Sequence, residues 1–303
     1  MTTPAPAITT TDTADDTRVG ERELDGADMA TKAENATLAL DEVGLSFSGV
    51  RSLDGVTFEV HHGEIFGVIG PNGAGKSSLF NCISGVYRPQ QGSIRHHGTE
   101  LVGMRPDRIN RRGVARTFQN VESFPTMTVL DSVLLGGIGN QHVGVLRGML
   151  WLGAAAREER KARAHAAEIL DLFGLDRYRD TPMGELPGGL QRQVELCRAL
   201  MAEPDLLLLD EPVAGMTSDE VETMVGAVLD AHEQLDLTVV IVEHNMGVVM
   251  DICDRIAVLD FGRRIAVGTP SEIGSDPAVM AAYLGTDSPE SVSEEAPVEH
   301  TSH

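Results

Sequence analysis

Gly70-Pro71-Asn72-Gly73-Ala74-Gly75-Lys76-Ser77 sets its glycines, lysine and hydroxyl at the spacing GxxxxGK[ST]. Glycines at those positions let the backbone curl until successive N–H groups face an anion, and a helix beginning there adds its own N–H groups. Lys76 brings a point charge to the β and γ phosphates of a nucleotide, Ser77 offers an oxygen to Mg2+, and Ser78 opens the following helix. A second apolar run, Leu206 to Leu209, ends in Asp210-Glu211-Pro212. Two carboxylates at the end of a buried strand are costly unless used: Asp210 can hold the water shell of a metal, and Glu211 can polarise an attacking water. A third run, Val239 to Val242, leads into Glu243-His244, and His244 can donate to a γ-phosphate and hold that water. Gln119 closes Ala115-Arg-Thr-Phe-Gln119 at the edge of a helical insert, where its side chain can reach Mg2+ and sense the insert's position.

These groups need a scaffold that gathers strand ends. The runs Ile65–Ile69, Leu206–Leu209, Val239–Val242 and Ile256–Leu259 read as buried strands, separated by helical patterns. Such alternation predicts an α/β fold with a largely parallel sheet and ligands at its carboxyl edge. Residues 130 to 200 hold almost no strand signal, and Ala154 to Phe173 has helical spacing, so a helical insert is expected there. Residues 1–36 and 286–303 are expected to be disordered acidic tails. They carry eight acids against three bases and five acids against none, which makes each tail −5 and leaves −12 for residues 37–285. The phosphate-loop motif occurs once, as in a single catalytic unit.

With 46 Asp and Glu against 24 Lys and Arg, the 303 residues carry −22, which repels nucleic-acid phosphates and argues against nucleic acid as a partner. No apolar run reaches the roughly 18 residues of a membrane span, and the N-terminus shows no export pattern, so a cytosolic setting is expected. Cys82, Cys197 and Cys253 lie far apart in apolar surroundings and read as reduced core residues. The pairs His61-His62 and His96-His97 read as strand neighbours facing opposite sides, unsuited to a metal. Arg157 to Arg163 reads as a solvated helix face, and Trp151 as packing within the insert.

Together the motifs resemble the ATP-binding subunits of ABC transporters, with Leu186-Pro187-Gly188-Gly189-Leu190-Gln191 at the signature position and Gln119 in the Q-loop position. The resemblance covers residues 37–285. It is closest to the branched-chain amino acid importer group through Arg116-Thr-Phe-Gln-Asn120, Phe124-Pro-Thr-Met-Thr-Val129, Asp210-Glu-Pro-Val-Ala-Gly-Met216, Glu243-His-Asn-Met246, the run Asp254 to Pro270 and Ala282-Tyr-Leu-Gly285. It implies a P-loop NTPase domain with a mixed sheet core, an N-terminal antiparallel β part and a helical subdomain over about 124–200. It also implies ATP with Mg2+, held by residues 70 to 78, with Phe47 stacking on adenine in place of an alternative role in the core. Gly188 and Gly189 would cap ATP held by a second ATPase subunit, identical or not. Two transmembrane permeases and a solute-binding protein would complete an importer at the cytoplasmic face of the membrane. The substrate would be branched-chain or related amino acids, or alternatively urea or amides. A soluble ABC ATPase of an assembly complex, such as iron–sulfur scaffold building, is the competing class; a module with little turnover is a third.

The chain departs from the general family in two places. Pro187 and Leu190 stand where LSGGQ has serine and glutamine, so a phosphate-binding hydroxyl is absent, although Gly188 and Gly189 keep their N–H groups and proline suits a first helical turn. Thr217 stands where the D-loop ends in Asp.

Overall fold

A computed structural model describes residues 36–117, 125–137 and 152–284. Ten strands are present among them: β1 Ala36–Phe47, β2 Val50–His61, β3 Ile65–Ile69, β4 Gln91–His96, β5 Thr99–Glu100, β6 Val114–Arg116, β7 Leu206–Asp210, β8 Thr238–Val242, β9 Arg255–Asp260 and β10 Arg263–Gly268. The helices are α1 Lys76–Ile83, α2 Pro106–Asn110, α3 Val129–Gly136, α4 Leu152–Leu172, α5 Gly188–Leu200, α6 Ser218–Leu235, α7 Met246–Ile252, α8 Pro270–Ser275 and α9 Pro277–Leu284.

The strands form two sheets. An antiparallel sheet runs β2-β1-β4-β5, and a six-stranded sheet runs β10-β9-β3-β8-β7-β6, parallel from β9 to β6 with β10 antiparallel at its edge. Every residue of β3, β7 and β8 is buried, as their unbroken apolar runs require of strands covered on both faces. Because side chains alternate across a strand, these strands feed two cores. Ile65, Ile69, Leu207, Leu209, Val239 and Ile241 pack with the helices, while Phe66, Val68, Leu206, Leu208, Val240 and Val242 pack with α1 and the antiparallel sheet. Phe58 stacks on Phe66 at 5.0 Å across that second core.

β1 begins at Ala36, one residue before the expected boundary, and the rest of both tails lies outside the described residues. So do Gln119 and Trp151. The helical part contains α3, α4 and α5; Thr128 caps α3 by accepting from the Asp131 N–H at 3.1 Å. α3 and α5 approach so closely at Gly136 that a Cβ there would lie 1.8 Å from the Arg198 carbonyl oxygen. Cys82, Cys197 and Cys253 are buried free thiols; burial pushes Cys82 and Cys253 up to about 12 and Cys197 higher still. Among the described residues no helix is long and apolar enough to cross a membrane.

Candidate nucleotide site

β3, β8 and β7 are adjacent and parallel, so their carboxyl ends open onto one edge. The phosphate loop leaves β3, Asp210 ends β7 with Glu211 next to it, and His244 follows β8 by two residues. The order of strands thus gathers groups that are far apart in the chain.

Gly70, Gly73 and Gly75 all have positive φ, which only glycine adopts without strain. Two of them are also fixed by space: a Cβ on Gly70 would sit 2.1 Å from the Leu259 carbonyl oxygen, and one on Gly75 would sit 2.5 Å from that of Ser52. Pro71, Asn72 and Ala74 complete the curl, with Ala74 N–H donating to the Pro71 carbonyl at 3.1 Å. Lys76 is buried and donates to the carbonyls of Gly70 at 2.7 Å and Pro71 at 3.1 Å. Burial holds its ammonium below the ordinary value, opposed by the charges of Glu211 and Asp210. Ser77 is exposed at the start of α1, whereas the Ser78 hydroxyl accepts from Ser52 Oγ at 2.7 Å, so Ser78 is engaged inside the fold. Phe47 is 45% exposed and meets the edge of Tyr87 at 5.1 Å, which removes the core role considered for it.

At the end of β7, Asp210 is buried. Its Oδ2 accepts from Arg116 at 2.7 Å, while its Oδ1 is buried without a hydrogen-bond partner. Arg116 also donates to Asn81 Oδ1 at 2.8 Å and Ser84 Oγ at 3.0 Å, tying β6 to α1 and β7. Glu211 sits at φ 49°, a left-handed conformation costly for a residue with a side chain, and its Oε1 lies 2.8 Å from His244 Nε2. Its backbone is held by its own N–H to Val242 O at 2.8 Å and by Arg192 of α5 at 3.2 Å. An orphaned buried carboxylate oxygen at the end of β7 and an exposed hydroxyl at the start of α1 are donor types that suit a divalent cation; Asp210 and Ser77 are the groups that would serve it.

Three organising residues were not singled out for these roles in the sequence. Buried Glu243 accepts from the N–H groups of Val213 at 2.9 Å, His244 at 3.0 Å and Asn245 at 3.4 Å, bracing the turns that present Glu211 and His244. Arg116 positions Asp210. Tyr283 of α9 is hydrogen-bonded to the backbone of Gly70, and burial, its largest influence, raises its hydroxyl's pKa. Arg116, Glu243 and Tyr283 all belong to the stretches that carried the branched-chain resemblance, which was the available signal.

The signature segment stands apart from this cluster, at the start of α5. Pro187 is the residue before the helix, with φ −54° and ψ 149°, and not inside its first turn as expected. Gly188 and Gly189 are the first helical residues, but the Gly189 N–H already donates to Glu220. Thr217 explains its own departure: it precedes α6 as the N-cap, its N–H and hydroxyl meeting Glu220 Oε2 at 2.9 and 3.0 Å. Threonine and aspartate both suit that position.

Residues 53–214 match the family described as ABC transporter, and residues 263–288 match the branched-chain amino acid ATP-binding cassette transporter family. The high-affinity branched-chain amino acid transport ATP-binding protein BraF of Pseudomonas aeruginosa is 37% identical over 248 residues, 82% of this chain and 97% of that protein. The protein of the same description, LivG, from Escherichia coli K12 is 35% identical over the same shares. Among solved structures, a nucleotide-free ATP-binding cassette from an ABC transporter aligns with TM-score 0.72 and 30% identity over 82% of this chain and 98% of that one. The dimeric structure of a bacterial ABC transporter cassette aligns with TM-score 0.64 and 25% identity over 77% and 98%.

Proposed function

The chain belongs to the ATP-binding proteins of ABC transporters, ATP hydrolases of the branched-chain amino acid group, and from that premise we propose that it powers uptake of branched-chain or related amino acids. The observation that carries this reading is the alignment with BraF over 97% of that protein's length. The match of residues 263–288 favours the importer over a soluble assembly ATPase.

In the proposed mechanism the ATP phosphates lie along the N–H groups of residues 73 to 77 and the start of α1. Lys76 exchanges the carbonyls of Gly70 and Pro71 for the β and γ phosphates, and Phe47, steadied by Tyr87, takes the adenine face. Mg2+, when bound, neutralises charge that develops on the phosphates. Ser77 and Asp210 would hold it, with Gln119 as a further oxygen donor. Glu211 takes a proton from the attacking water as its oxygen bonds the γ-phosphorus and the bond to the β-phosphate oxygen breaks, leaving ADP and phosphate. His244, now 2.8 Å from Glu211, orients that carboxylate and donates to the γ-phosphate.

Gly188, exposed, and Gly189, partly exposed, at the start of α5 are proposed to cap ATP held by a second ATPase subunit, with the Gly189 N–H leaving Glu220 to do so. The dimeric structure of a similar cassette supports such pairing. Closure of the pair would move permease helices through the helical part at the cytoplasmic face of the membrane, with a solute-binding protein delivering the substrate.

The test is transport by proteoliposomes that contain this chain with the ATPase and permease subunits that co-purify with it, the solute-binding protein being supplied outside. Internal MgATP should drive leucine uptake, and Lys76→Ala should abolish it. Uptake undiminished by Lys76→Ala, or purification with soluble partners and no permease, overturns the proposal; uptake of urea or an amide in place of leucine overturns the substrate class.

A further inference from the structure

The expectation that His96 and His97 face opposite sides is corrected by the hairpin between β4 and β5. β4 ends at His96, and the turn residues His97 and Gly98 have φ 45° and 70°, the pair of left-handed conformations of a type I′ turn. That turn swings His97 back beside His96, with ring centroids 4.4 Å apart. Both rings meet one carboxylate, that of Asp205 at the amino end of β7. His96 Nε2 lies 3.3 Å from Asp205 Oδ1, and His97 Nε2 contacts Asp205 Oδ2.

We propose that His96, His97 and Asp205 form a binding site for one divalent transition-metal ion of the zinc class, tying the β4–β5 hairpin to the amino end of β7. The ligand atoms of the three residues all lie within 4.8 Å of one another. The His96 side chain is only 3% exposed, and its Nε2 and the facing Asp205 Oδ1 are both buried without a hydrogen-bond partner despite their proximity. A cation between them satisfies both atoms at once. Their 3.3 Å separation matches the edge of a tetrahedron with bonds of about 2.0–2.1 Å, and the Asp205–His97 contact opens slightly to admit the ion. His97 and Asp205 are 50% and 40% exposed, so an ion can enter and water can take the fourth position.

Two imidazoles and one carboxylate select zinc, nickel, cobalt or copper over magnesium, so the Mg2+ that accompanies ATP does not compete. The site's backbone is anchored: His97 N–H donates to Thr37 O and Asp205 N–H to Gly113 O, both at 3.0 Å. With a strand rise of about 3.3 Å per residue, the site stands roughly 17 Å along β7 from Asp210, so the ion braces the junction of the two sheets and takes no part in phosphate chemistry.

The test uses the full-length chain without an affinity tag, stripped with chelator and titrated calorimetrically with zinc chloride in the absence of nucleotide, alongside thermal unfolding with and without zinc. The wild-type chain should bind about one equivalent with low-micromolar or tighter affinity and unfold several degrees higher in zinc. Asp205→Asn and His97→Asn should each weaken that site roughly tenfold or more and remove the thermal shift. Asparagine tolerates the left-handed turn conformation, so the His97 variant keeps its hairpin. Absence of saturable binding in the wild-type chain, or equal affinity and stoichiometry in all three proteins, overturns the proposal and leaves a histidine–aspartate ion pair alone.

Discussion

Two glycine segments of this chain each lead into a helix, and they differ in how far their N–H groups are committed. In the phosphate loop, Gly70, Gly73 and Gly75 hold positive φ, carbonyl oxygens stand where a Cβ would go at two of them, and buried Lys76 is in place. In the signature segment, Gly188 and Gly189 are ordinary helical residues behind Pro187, and a neighbouring carboxylate occupies the Gly189 N–H. The atoms nearest a Cβ on Gly189 would be those of the Glu220 side chain, the first at 2.7 Å, a neighbour that can move. One segment holds its glycines and lysine in place with groups of this chain alone. The other is engaged by a side chain that would have to release it in the pairing proposed above. A molecule that carries one segment of each kind is what that proposed pairing requires.

The difference can be broken most strongly at the finished half. Lys76→Ala should remove nucleotide binding and lower hydrolysis by about 10³-fold, the scale for losing one preorganised charge donor; ATP affinity by calorimetry and phosphate release check it. Glu211→Gln should lower hydrolysis by about 10²–10⁴-fold yet retain ATP, so that light scattering with MgATP finds an accumulated ATPase pair. At the open half, Gly189→Ala should leave ATP affinity of the isolated chain unchanged and lower hydrolysis of the assembled pair by up to about 10²-fold, through misplacement of the cap. Equal losses of ATP affinity in Lys76→Ala and Gly189→Ala would erase the contrast between the segments.

Smaller effects sharpen it. Thr217→Ala removes the N-cap of α6 and should cost about 1 kcal/mol of stability, read from denaturant unfolding. Glu220 is held below its ordinary 4.5, first by the Thr217 N–H, then by the Thr217 hydroxyl, with a further bond from the Gly189 N–H. A carboxyl lowered in the folded state contributes stability that is present above pH 4.5 and lost as pH falls through the lowered value. The wild-type chain should therefore lose stability over that acid interval more steeply than Glu220→Gln, as pH-dependent unfolding will record.

The strands β3, β7, β8 and β9 were readable because a strand covered on both faces needs a continuous apolar run, and the phosphate loop because its chemistry demands residues next to one another. The organising contacts were not, because they join distant positions: Arg116 to Asp210 spans 94 residues, Glu243 to Val213 spans 30, and His97 to Asp205 spans 108. The histidine pair was misjudged for a local reason. Opposite faces hold along a strand, and the hairpin turn begins between the two residues. Thr217 looked like a lost acid until its capping role at α6 was visible.

The central claim is that hydrolysis at the phosphate loop, with Glu211 as its base, drives the transporter. Its most direct measurement is phosphate release and leucine uptake, side by side, by the reconstituted complex carrying either Glu211 or Glu211→Gln. The account predicts that both fall together while ATP remains bound. Hydrolysis and uptake that persist at the wild-type rate in Glu211→Gln would contradict it.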